Sequence, residues 1–108
     1  MSFEDVLLSH QRLCILRHLK EARGYSANES LLKGVLDDFG LHASRDLVST
    51  VVAWLDEQGL VTRAFPREAS IVATITQRGL DVATGDATAP GVLRPGPASR
   101  LLKSAGGA

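Results

Sequence analysis

Apolar residues recur at helical spacing through the first sixty positions and then switch to alternation. Leu8, Ile15, Leu16 and Leu19 fall on one helical side, with Arg12, Arg17, Lys20 and Arg23 as polar surface. Ahead of them, Ser2 and Asp5 make a weak capping box, and a short opening helix would bury Phe3, Val6 and Leu7. Ser9 offers a second start. Gly24 and Tyr25 break this helix, and Ser26 with Glu29 gives an S-x-x-E box opening a second, whose stripe is Leu31, Leu32, Val35, Leu36 and Phe39. Gly40 stands at a left-handed C-terminal position with Leu41 folding back. The turn LHAS leads to a third helix capped by Ser44. Its broad apolar arc is Leu47, Val48, Val51, Val52, Trp54 and Leu55, opposite Arg45, Asp46, Ser49, Thr50, Ala53, Asp56 and Glu57.

After Gly59 the period becomes two in LVTRAF and again in SIVATIT, which predicts a hairpin across the PRE interval at 66–68. Pro66 suits a turn or an edge. Thr76 caps a last short helix, closed by Gly85, in which Leu80, Val82 and Ala83 complete the core. The expected fold is mainly α with a small β-hairpin (α+β): a three-helix core, a two-stranded wing and a short last helix over residues 1–85. Residues 86–108 read as a flexible, basic Gly/Ala/Pro-rich tail.

A chain of 108 residues with 44% hydrophobic content suits one domain. Twelve basic and twelve acidic side chains cancel, so the cationic excess of most nucleic-acid binders is missing. Residues 1–84 hold nine basic and eleven acidic groups, whereas the tail holds Arg94, Arg100 and Lys103 against Asp86. A single cysteine, Cys14, excludes an internal disulfide framework and suits a reducing cytoplasm. No export leader or membrane-spanning run is evident, so a soluble cytoplasmic protein is expected.

The element order, the ILRHL of the first helix, the Val48, Leu55 and GlyLeuVal spacing around the third, and the ITQRGLDVATG ending resemble winged helix-turn-helix proteins of the broad ArsR/MarR type over roughly residues 9–85. GYSANES, SRDLV, WLDEQGLV, TQRGLDVATG and PGV-x-RP, in that order, are similar to small winged-helix proteins of Mu-like phages and prophages. The resemblance implies a bacterial or phage origin and a helix-turn-helix regulator. One departure is the longer turn: Gly40 and Val48 lie eight positions apart where six is common, which alters the crossing of the second and third helices.

On that resemblance, Ser44, Arg45, Ser49, Thr50 and Ala53 face the major groove of double-stranded DNA, with Arg45 taking a guanine edge. Asp46, Asp56 and Glu57 oppose this, since carboxylates near phosphates work against counterion release. Asp46 can instead support its helix N-terminus through the macrodipole, worth roughly 0.3–1 kcal/mol. Arg63 and Arg67 would reach the backbone or a minor groove from the wing, although Pro66 and Glu68 make it short and partly neutralised. The alternative is a solvated hairpin with protective edge charges. Arg94, Arg100 and Lys103 add non-specific phosphate attraction, or belong to a solvated end. Val92, Leu93, Leu101 and Leu102 docking on a partner chain is a third option.

Phe3, Val6, Leu7, Leu13, Cys14 and Trp54 are candidates for a dimer or partner interface, with a homodimer expected by analogy and core packing the alternative for Trp54. Cys14 and His18 share a helix face but make only two ligands, His10 and His42 are scattered, and neither a nucleophile turn nor a phosphate loop is present. No enzyme activity, metal or cofactor is expected. Two functions remain: a sequence-dependent DNA-binding regulator, or a winged-helix protein–protein interaction module that binds a phage or host partner and no DNA.

Overall fold

A computed structural model describes residues 2–67 and 70–96. The elements are α1 (Phe3–Glu21), a 3-10 turn (Arg23–Tyr25), β1 (Ser26–Asn28), α2 (Glu29–Asp38), α3 (Arg45–Glu57), β2 (Val61–Ala64), β3 (Val72–Ile75) and α4 (Gln77–Thr84). The architecture is α+β, four helices around an antiparallel sheet of order β1-β3-β2.

The core is built as the periodicity dictates. Ile15, Leu16 and Leu19 of α1 meet Leu32 and Leu36 of α2, Val48, Val51, Val52 and Leu55 of α3, and Leu60, Val61, Ala73, Ile75, Val82 and Ala83 beyond them. Burying such side chains contributes about 1.5–3 kcal/mol each. Ser44 and Thr76 cap α3 and α4 as expected, accepting from Leu47 N and Gly79 N. Gly40 adopts φ +72°, a conformation costly for other residues, and Leu41 N–H turns back to the Leu36 carbonyl at 2.8 Å.

Three expectations about elements need correction. The opening segment is no separate helix: Ser2 starts one continuous α1 through a reciprocal box with Asp5, and Ser9 donates to the Val6 carbonyl at 2.7 Å rather than capping. Phe3 and Val6 therefore stay exposed, at 78% and 38%. The second helix starts at Asn28, whose side chain accepts from Leu31 N at 2.8 Å. Ser26 lies in β1 instead, its hydroxyl 2.6 Å from that of Thr74, and this third strand pairs Ala27 with Ala73 across the sheet from β2. The β2–β3 hairpin is thus part of a three-stranded sheet.

Two polar attachments complete the frame. Gln11, fully buried, donates from Nε2 to the carbonyls of Leu41 and His42 at 3.0 and 3.2 Å, fastening the turn between α2 and α3 to α1. On another side, residues assigned to the tail pack onto the body as far as Leu93. Ala89 is buried, Val92 rests on the core, Leu93 N–H donates to the Ser9 carbonyl at 3.2 Å, and Arg12 Nη1 donates to Gly91 O at 2.9 Å. Among the described residues, no helix is long and apolar enough to cross a membrane.

Candidate nucleic-acid interface

The apolar arc of α3 turns inward, so its other side is presented outward. Ser44, Arg45, Asp46 and Thr50 are exposed, while Ser49 and Ala53 are half-buried. Each hydroxyl on this face is already engaged. Ser44 Oγ accepts from Leu47 N, Thr50 Oγ1 donates to the Asp46 carbonyl at 3.1 Å, and Ser49 Oγ donates to Glu29 Oε1 at 2.6 Å. A charge-assisted bond of that length is among the stronger kinds.

Beside it lies a cleft of about 220 Å³ lined by Glu29, Arg45, Ser49, Ser70 and Ile71. Ser30 and Ser70 hydroxyls meet at 3.0 Å across its edge, and Arg45 Nη2 makes only a long contact of 3.4 Å to Ser30 Oγ. The second Glu29 oxygen, Oε2, is buried without a partner. The S-x-x-E spacing from Ser26 marks Glu29 only as part of a helix cap. Its place here depends on the first turn of α2 meeting α3, which no local signal reports.

The β2–β3 hairpin is less available than its composition implies. Arg63 Nε pairs with Asp56 Oδ2 at 2.9 Å, and its guanidinium lies 5.3 Å from the Phe65 ring centre. One acid that opposes DNA is neutralised by one arginine that was to favour it. Arg67 is exposed in the β2–β3 connection, and Glu68 lies outside the described residues. Arg94 is exposed but follows a segment tied to α1; Arg100, Leu101, Leu102 and Lys103 lie outside the described residues.

The expected interface residues divide. Phe3 and Val6 are exposed and Leu7 half-buried, whereas Leu13 and Cys14 are buried in the chain's own fold, at 4% and 8%. Those two are therefore not on a surface. Trp54 is half-buried, with the Arg12 guanidinium 3.9 Å above its ring, and a Cβ placed on Gly91 would meet that ring at 3.0 Å. Cys14 and His18 do share a face, Sγ to Nδ1 at 3.7 Å, while the ring also meets the Cys14 carbonyl at 2.8 Å. Burial pushes the Cys14 thiol up, opposed by the nearby Arg17 charge.

No protein-family model matches the chain, and no solved structure matches it. It is 49% identical over 84 residues to an uncharacterized protein of Haemophilus influenzae, spanning 78% of this chain and 81% of that one. It is 46% identical over 93 residues to the uncharacterized protein gp26 of Escherichia phage Mu, spanning 86% of this chain and 95% of gp26. At that identity and coverage, the chain belongs to the protein family that includes phage Mu gp26.

Proposed function

We propose that the protein is a winged helix-turn-helix regulator of phage origin that binds double-stranded DNA in the cytoplasm. In this reading α3 enters the major groove and the β2–β3 hairpin lies along the backbone. The observation that carries it is the face of α3: Arg45 and Thr50 stand exposed in its first two turns, while Asp56 is paired with Arg63 and Glu29 is tied to Ser49. Asp56 is thereby offset by a cation, whereas Glu29 keeps its charge behind Ser49, and the electrostatic objection rests on Asp46, Glu57 and Glu29. Arg67 becomes the main wing contact, with Arg94 and the basic residues after it adding non-specific attraction. A homodimer would form through Phe3 and Val6, since Leu13 and Cys14 are buried and Trp54 is partly covered by the chain's own C-terminal segment.

Those exposed apolar residues, together with Phe39 at 62% and Phe65 at 67%, also favour a second reading, a module that holds a protein partner. Binding of the full chain to duplex DNA across a salt series separates the two. The regulator reading expects affinity to fall steeply with salt and Arg45→Ala with Arg67→Ala to remove most of it. No binding at low salt leaves the interaction module.

A further inference from the structure

The hydroxyl of Ser49 has one hydrogen to give and two lone pairs to offer. Its hydrogen goes to Glu29 Oε1 at 2.6 Å, in a half-buried position. Among the described residues no other side chain donates to that carboxylate, and its Oε2 is already buried without a partner. Rotating the hydroxyl away would leave both oxygens bare beside the cleft, a cost of the kind that keeps buried polar groups bonded. Ser49 is therefore held as an acceptor toward the outside. Thr50 has the same polarity, its hydrogen committed to the Asp46 carbonyl at 3.1 Å. Arg45, one turn before Ser49, has a guanidinium with a single long contact and can only donate. The outer face of α3 thus offers one strong donor followed by acceptors.

Resting on the DNA-binding reading, we infer that Glu29 is a positioning residue which fixes Ser49 as a hydrogen-bond acceptor. The face of α3 then selects a base with an exocyclic amine, cytosine N4 or adenine N6, next to a guanine taken by Arg45. In the major groove amines donate while thymine O4 and guanine O6 accept, so an acceptor-only serine discriminates where an ordinary serine would take either. Glu29 lies on α2 and acts on the base only through Ser49.

The test starts from duplexes enriched by the full chain from a randomised pool, with the affinity for all four base pairs measured at each position of the preferred site. At the position that Ser49→Ala alters, the wild-type chain prefers the amine-bearing base over the reversed pair by about five- to tenfold. Glu29→Ala levels that preference while the guanine preference and the salt slope persist, and Glu29→Gln, whose carbonyl can still accept from Ser49, retains part of it. Should Glu29→Ala lose its fold, seen in its thermal midpoint, Glu29→Gln carries the test, its amine preference expected to fall part of the way, and no fall overturns the inference. A Glu29→Ala chain that weakens every duplex equally, or a Ser49-dependent position with no amine preference, overturns the inference while duplex binding stands. Absence of any duplex binding by the wild-type chain overturns the functional reading itself.

Discussion

Arg12 and Arg45 carry the same guanidinium on two sides of the molecule, and they are used in opposite ways. Arg12 lies against Trp54 and donates to the Gly91 carbonyl, its pKa lowered by desolvation against a smaller opposing effect of Asp5. Arg45 is exposed with one long contact. Around Arg12, one guanidinium nitrogen is bonded to the chain's own backbone, Nε is buried and the plane is laid on a ring; around Arg45, the guanidinium faces outward. A basic residue's charge does not distinguish structural glue from a binding group. Whether its guanidinium is laid against the chain's own ring and backbone or left exposed does.

The comparison breaks most readily at Trp54. Trp54→Ala should cost about 2–4 kcal/mol, somewhat less than a fully buried tryptophan, because Arg12 and the Gly91 segment lose their common support. Urea unfolding would check it, and an unchanged midpoint would mean that the C-terminal segment is not packed as described. On the other side, Arg45→Ala should weaken duplex binding by about 1–3 kcal/mol while moving stability by less than about 0.5 kcal/mol. Equal effects on both would erase the contrast. Gly91→Ala should destabilise by about 1–2 kcal/mol, since φ is +92° and the added methyl group meets the Trp54 ring and Arg12 Nη1, with DNA affinity unaltered.

The smallest effect belongs to Asp37, whose carboxyl is held below its ordinary range by its bond to Lys33 and then by that to His42. A depressed carboxylate stabilises the fold above its unfolded pKa, and that contribution fades as pH falls through the lower folded value. For so exposed a group the gain is slight. Asp37→Asn should flatten the acid side of the stability profile a little and leave neutral pH almost untouched.

Much of this fold was legible because its signals are local. A glycine at 40, a serine at 44 and a threonine at 76 mark helix ends through their own backbone or their third neighbour. The strand at Ser26–Asn28 was hidden because three residues show no period, and its evidence lies in residues 72–74. With Ser26 in that strand, Asn28 is the cap. The docking of Ala89 to Leu93 was equally hidden, since a proline- and glycine-rich run looks the same whether free or fitted to a tryptophan. On the candidate face, Arg45, Ser49 and Thr50 follow from helical spacing alone. Glu29 does not, because the hydrogen it accepts comes from Ser49, twenty residues further along the chain.

Gln11 ties two otherwise separate stretches of chain into a single unit of inheritance. Its amide meets the carbonyls of Leu41 and His42 in the long turn that sets Gly40 and Val48 eight positions apart. Shortening that turn would pull both oxygens away and strand an amide in an oily interior, so its length and the residue at position 11 should drift together or not at all.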